Sequence, residues 1–308
     1  MQQLVAQILS RNNILPETHV QPIVAGQINH VYTVGDDLVL KVERDLGVLA
    51  HQRELLELCH QKGAKVPRIV DAGEEEGKQY LLMERLPGRN LAYDWLTLET
   101  STQDRIVAEI CEQLRLMHSI HFERYSLQRP TEHERFEDAL RWYINFDQIS
   151  ATQLDAQTRE HVELLRDFFT THIERVQEAG TSVLVYNDLH FENVLWDGEH
   201  VTGIIDFDFA RQAPIDYELW HLIDFLRTPH YFLEEKIEDA WRGRELGHVL
   251  TLFRRHYPEL FTQPDLLTRV RLYLIEDILG HAAYPSRVEE QVYAYFTSDW
   301  LERVFATH

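Results

Sequence analysis

The sequence predicts an α+β fold: a small unit of strands with one or two helices, followed by a larger and mainly helical part. Three observations predict it. Through the first third, short apolar blocks alternate with turn residues, as strands do. From Asn90 onward apolar residues recur mostly at the 3.6-residue spacing of helices. Between these regimes the stretch LPGRN, residues 86–90, breaks both patterns with Pro and Gly, which divides the chain into units 1–85 and 86–308.

Taken in order, Leu4, Val5, Ile8 and Leu9 predict a short amphipathic opening helix. VQPIVAGQINHVYTV and DLVLKVE read as strands joined through the hairpin signal Gly35-Asp36-Asp37. LGVLAHQRELLELCHQ has helical spacing and stops before Gly63. VPRIVDAG and KQYLLMER complete a small sheet, with GEEEG read as the turn between them. Beyond the boundary, DRIVAEICEQLRLMHSI, FEDALRWYINF and TREHVELLRDFFTTHIERVQ read as helices. TSVLVY, ENVLW and VTGIIDF interrupt them as short strands, the last two turned by Asp197-Gly198. Helical patterns resume at IDYELWHLIDFL.

Composition narrows the function classes. A formal charge of -21 argues against binding the phosphate backbone of nucleic acid. No apolar run reaches the roughly 20 residues that span a bilayer, and MQQLVAQILSRNN lacks the pattern of a signal peptide, so a cytoplasmic protein without a membrane partner is expected. Two cysteines, Cys59 and Cys111, make neither a disulfide framework nor a metal-ligand spacing.

The polar residues beside the later strands carry the chemistry. Asp188 and Asn193 sit in the loop YNDLHFENVLW, and Asp206 ends the hairpin that follows. That hairpin returns Asp206 toward Asn193, so that a carboxylate and an amide oxygen converge as hard ligands suited to Mg²⁺. Asp188 on the same loop is then free to accept a proton from a hydroxyl. The other reading is a solvated, Asx-rich turn. Lys41 lies inside the apolar strand LVLKVE, where a buried ammonium needs a partner; Glu54 in the next helix is the candidate, against the alternative of a lysine head in water. Gly26 in VAGQINHVY marks a turn whose backbone can approach phosphate.

The order Gly26, Lys41, Glu54, LLMERLPG, NDLHFEN and IIDFDFA resembles the aminoglycoside phosphotransferase and choline kinase-like family over about residues 20–225. The resemblance implies a two-lobed protein-kinase-like fold, with a sheet-plus-helix N-lobe that binds nucleotide and a helical C-lobe that carries catalysis and the acceptor. It implies ATP, with GTP as the alternative, and Mg²⁺. Asp188 would be the catalytic base, Asn193 and Asp206 the metal ligands, and Lys41 the phosphate-holding residue positioned by Glu54. Met83, Glu84 and Leu86 would form the hinge at the adenine edge, over an apolar floor of Leu195 and Ile205. Three departures stand out, the first being a nucleotide loop, VAGQINHVY, with Gly26 as its one glycine. The family usually has His-Gly where this chain has Tyr186-Asn187, and Asp208 stands where protein kinases carry the glycine of D-F-G. For Asp208 a metal contact, a cationic substrate and plain solvent exposure are all open.

IIDFDFA is followed almost at once by a helix, which leaves no room for a peptide-docking segment, so the expected partner is a small hydroxyl-bearing acceptor, cationic or neutral. Aminoglycosides, amino alcohols and sugar-like compounds are the candidates that the resemblance supplies. The competing class is a non-catalytic nucleotide-binding or scaffold protein with a degenerate kinase-like fold. Asp216 and Glu218 read either as helix-stabilising acids or as substrate contacts. Trp220, Trp241, Tyr273, Tyr284 and Trp300 read either as core or as pocket wall, and His190 as a brace for the catalytic loop.

Overall fold

The computed structural model describes residues 1–23, 29–44, 49–128, 131–146, 154–177, 180–244 and 246–306. Helix α1 (Gln2–Arg11) is followed by strands β1 (Val20–Ile23), β2 (Asn29–Val34) and β3 (Leu38–Glu43). Helix α2 (Leu49–Gln61) comes next, then strands β4 (Ile69–Glu75) and β5 (Lys78–Glu84). The strands form one antiparallel sheet in the order β1-β2-β3-β5-β4. The GEEEG segment differs from its expected turn. Gly73, Glu74 and Glu75 pair with Tyr80, Gln79 and Lys78, which leaves only Glu76-Gly77, at φ +49° and +76°, to reverse the chain. Two left-handed residues match the twist of the flanking strands, so the tight connection displaces the longer loop.

This sheet is packed on two faces because side chains alternate along each strand. Leu40 and Val42 of β3, with Tyr80 and Leu82 of β5, pack against Leu4, Val5, Ile8 and Leu9 of α1 in a small separate core. Leu81 and Met83 turn the other way and join the main core, with Leu55, Leu56 and Cys59 of α2.

After β5 come β6 (Arg89–Asn90), α3 (Thr100–His118), β7 (His121–Phe122), β8 (Tyr125–Gln128), β9 (Thr131–His133), α4 (Phe136–Tyr143) and α5 (Ala156–His172). Strands β10 (Ser182–Val185), β11 (Val194–Trp196), β12 (Val201–Ile204) and β13 (Arg211–Ala213) follow. The chain then runs through α6 (Glu218–Arg227), α7 (Glu235–Trp241), α8 (Gly247–His256), α9 (Leu266–Gly280), α10 (Pro285–Val292) and α11 (Trp300–Ala306). The β11–β12 hairpin adds β6 to make a three-stranded sheet, and β7-β10-β13-β8-β9 form another. The second sheet was not expected, since strands of two to four residues carry too few side chains to show a period.

Two glycines let the segment after β5 lie close to the β11–β12 hairpin. A Cβ on Gly203 would stand 2.4 Å from Leu86 Cδ1 and 2.7 Å from the Lys65 carbonyl oxygen. Gly88, at φ +95°, would meet the Trp196 carbonyl oxygen at 2.4 Å. Trp220, Trp241, Tyr273 and Trp300 are buried in the core, whereas Tyr284 is 65% exposed. Asp216 is buried in an ion pair, accepting from Arg269 Nε at 2.7 Å and Nη2 at 2.9 Å, and from the Tyr273 hydroxyl at 2.9 Å. No helix among the described residues is long and apolar enough to cross a membrane.

Candidate active site

The loop between β10 and β11 is held by its own backbone and by α6. The Tyr186 and Asn187 amides donate to the two carboxylate oxygens of Glu218, at 2.7 and 3.0 Å. Glu218 is fully buried, and its Oε2 also lies 3.2 Å from His118 Nε2. It therefore fixes the loop, a part not read from sequence, while it stands in the first turn of α6 as the helix-stabilising reading expected. The Tyr186-Asn187 departure has a physical account as well. Asn187 adopts φ +57°, the left-handed region where glycine is at ease and Asn is the best-tolerated alternative. Its side-chain amide donates to the Phe209 carbonyl at 3.2 Å. The Tyr186 hydroxyl donates to the Ile205 carbonyl at 2.5 Å, which ties the loop to the turn carrying Asp206. Burial drives this phenol well above its ordinary pKa and keeps it a neutral donor.

Asp188 lies buried at the centre of the loop. Asn193 Nδ2 donates to Asp188 Oδ2 at 2.8 Å and to the Asp188 carbonyl at 3.1 Å. On the other side, His221 Nε2 from α6 lies 3.1 Å from Asp188 Oδ1. Burial lowers the His221 pKa, but the hydrogen bond and charge of Asp188 outweigh it and the net shift is upward. His190 behaves oppositely: burial pushes it down to about 4, so the ring is neutral. Its Nε2 lies 3.0 Å from Asn193 Nδ2 and 3.7 Å from Asp188 Oδ1, as a brace would.

On the side of the sheet, Lys41 is buried on the face of β3 turned away from α1. Its ammonium donates to Asp208 Oδ1 at 2.7 Å, Asp206 Oδ1 at 3.0 Å and Gln52 Oε1 at 3.2 Å. The expected partnership with Glu54 is corrected here. The Glu54 side chain is 67% exposed and faces His51 at 3.8 Å, while the inward-facing polar residue of α2 is Gln52. Burial, as the largest influence, opposes charge on Lys41, yet the two aspartates hold its pKa above the ordinary value. Burial also raises Asp208, to about 6 despite the pull of Lys41, so this carboxyl is ionised at neutral pH.

Asp206 sits at φ +62° with a side chain 42% exposed. Just before it, the Ile205 amide donates to the Asn193 carbonyl at 3.0 Å, so Asp206 and Asn193 are carried on adjoining backbone. Met83 and Glu84 end β5. The Glu84 amide donates to the Arg68 carbonyl at 2.9 Å and its carboxylate pairs with the Arg68 guanidinium. Leu86 packs over Gly203, opposite Leu195, which pairs with Gly203 across the β11–β12 hairpin; Ile205 follows directly after β12. Gly26 lies outside the described residues.

Sequence reasoning missed Gln52, His221 and the role of Glu218. A signal for the last two existed. Along α6, ELWHLIDFLR, polar residues recur every third position at Glu218, His221 and Asp224 on a helix otherwise apolar as far as Leu226. Such a stripe on a buried helix must face other polar groups.

Comparison with known proteins agrees with this architecture. The sequence profile of the Phosphotransferase enzyme family matches residues 19–260, and the chain belongs to that family. A homoserine kinase of Pseudomonas aeruginosa is 30% identical over 173 residues, 54% of this chain and 50% of that protein. The chain thus matches about half the length of that relative. An aminoglycoside 3'-phosphotransferase of Streptomyces fradiae is 25% identical over 188 residues, 56% of this chain and 67% of that one. Among solved structures, aminoglycoside phosphotransferase APH(4)-Ia superposes with a TM-score of 0.70 at 17% identity, covering 99% of this chain and 100% of the other. A thermostable mutant of it, in a ternary complex with AMP-PNP and hygromycin B, gives 0.68 at 16% identity and 99% coverage of both chains. The fold is accordingly the kinase-like fold of those proteins, with an antiparallel-sheet N-lobe and a helical C-lobe.

Proposed function

We propose that this enzyme transfers the γ-phosphoryl group of ATP, with Mg²⁺, to a hydroxyl of a small molecule. One observation carries the reading: Lys41, Asp206, Asn193 and Asp188 form a continuous polar strip. It runs from Lys41 Nζ to Asp206 at 3.0 Å, through the Ile205–Asn193 backbone bond, and from Asn193 to Asp188 at 2.8 Å. Phosphoryl transfer needs such a strip, with a cation for the phosphates at one end and a proton acceptor for the hydroxyl at the other.

The residues present fit Mg²⁺. Asp206 offers a half-exposed carboxylate, and Asn193, whose amide nitrogen is committed to Asp188, keeps its amide oxygen for a hard cation. When bound, Mg²⁺ would neutralise charge on the phosphate oxygens. Lys41 holds the same phosphates from the sheet side. Asp188, oriented by Asn193 and His221, accepts the proton as the acceptor oxygen bonds to phosphorus and the bridging P–O bond to ADP breaks. GTP is the alternative donor; a GDP complex of aminoglycoside 2'-phosphotransferase-IIIa is among the similar folds, with a TM-score of 0.62 at 14% identity.

The acceptor is small, because only residues 207–217 separate Asp206 from α6. The relatives named above act on homoserine and on aminoglycosides, both hydroxyl compounds that carry amines. The half-buried acids Glu276 and Asp277 of α9, the latter close enough to His221 to raise its pKa, support an amine-bearing acceptor here. An ATP-consumption screen over amino alcohols, hydroxy amino acids, amino sugars and sugars tests the proposal, with Asp188→Asn as control. The variant is expected to bind nucleotide normally and to lose transfer by about a hundredfold or more. Wild-type turnover in Asp188→Asn would remove Asp188 as the base. Nucleotide binding with no turnover on any acceptor would favour a scaffold.

A further inference from the structure

We propose that Asp208 is the residue that positions Lys41, in place of a carboxylate on α2. The inference rests on the phosphate-holding role given to Lys41 above. A buried ammonium is stable only with a nearby negative charge. Helix α2 supplies none: Gln52 offers a neutral amide oxygen at 3.2 Å, and Glu54 turns to solvent. Among the described residues two carboxylates touch the ammonium, and they differ. Asp206 has a side chain 42% exposed at the cleft and is the proposed cation ligand, whereas the Asp208 side chain is 6% exposed. Asp208 also makes the shorter contact to Lys41, 2.7 Å against 3.0 Å.

Asp208 is itself held. Asn29 Nδ2, on the neighbouring strand β2, lies 3.4 Å from one of its oxygens and 3.2 Å from the other. Asn29 is 2% exposed and its Oδ1 finds no hydrogen-bond partner, so its amide nitrogen is the part that engages. A carboxylate anchored on two strands of the sheet fixes the ammonium on one of them. The anchor comes from the segment after β12, so it also ties the sheet to the catalytic unit.

The test measures nucleotide affinity by calorimetry, and its dependence on Mg²⁺ concentration, for wild type, Asp208→Asn, Gln52→Glu and the double variant. Asp208→Asn keeps the shape and removes the charge. It is expected to weaken ATP binding about tenfold, the scale of a charge-assisted hydrogen bond, with the Mg²⁺ midpoint unchanged. Gln52→Glu places a carboxylate on α2, and in the Asp208→Asn background it is expected to restore affinity to within about threefold. Unchanged affinity in Asp208→Asn overturns the inference, as does a loss that shifts the Mg²⁺ midpoint and that Gln52→Glu leaves unrepaired. Should Asp208→Asn fold poorly, Asn29→Ala serves instead: a threefold or larger loss of affinity supports the anchor, and no loss overturns it. If wild type binds no nucleotide, the proposed function fails; if wild type and Asp208→Asn bind alike, only this inference does.

Discussion

Residue by residue, the chemistry of the cleft depends on which polar groups are held and by what. Asp188 has a fixed partner on each oxygen, and His221 is the one whose charge can vary. His221→Gln is expected to keep a donor near Asp188 while removing the charge. Turnover should fall several-fold with nucleotide affinity unchanged, as kcat and a separate ATP titration would show. Because the His221 pKa is raised in the folded state, its added stability is complete below the unfolded value of about 6.5 and fades as pH rises through the folded one. The Tm difference between wild type and His221→Gln should therefore shrink from pH 5.5 to 8.5; a constant difference would refute the ion pair. That Lys41, Asp188, Asn193 and Asp206 stand out was legible in the sequence, because a lysine inside an apolar strand and polar residues beside strand ends are conspicuous. Gln52 was passed over for Glu54 on the strength of charge alone. The buried positions of α2, Leu49, Gln52, Leu55, Leu56 and Cys59, keep helical spacing, and Glu54 lies off that stripe.

Whole elements set the next level of control, and α6 is the one that matters most to the loop carrying Asp188. Glu218 accepts two amides on different oxygens, so Glu218→Gln leaves one of them facing an NH₂ group. A loss of about 1–3 kcal/mol is expected, measurable by denaturant unfolding, together with lower turnover. A variant as stable as wild type would show that the loop is held by something else. The longer helices were readable because eight or more residues display a period. The strands β7, β8, β9 and β13 were not, because each acquires its identity only from the neighbours it pairs with.

Taken whole, the molecule buries acids as well as apolar groups. Asp224 of α6 is pushed up to about 6, chiefly by burial and then by the nearby Asp277, with the Tyr295 hydroxyl donating to it at 2.5 Å. A raised carboxyl pKa means that the folded state holds its proton longer, so stability falls as pH rises from about 4 through about 6. Asp224→Asn keeps the acceptor oxygen and is expected to raise Tm above pH 6, with the gain vanishing near pH 4; a gain independent of pH would contradict this. The two-part plan itself was visible in the shift from strand to helix spacing. What no local pattern revealed is how side chains distant in sequence meet across the cleft. The opening helix bears on that meeting from the far side of the sheet. It packs on the face of the sheet opposite Lys41 and grips Leu40 and Val42, the residues on either side of it. Displacing β3 by one residue would turn its lysine into the grease under α1 and bring a leucine or valine to Asp206 and Asp208. Helix α1 thus works as a keel: it does no chemistry, but it settles which way up the strand floats.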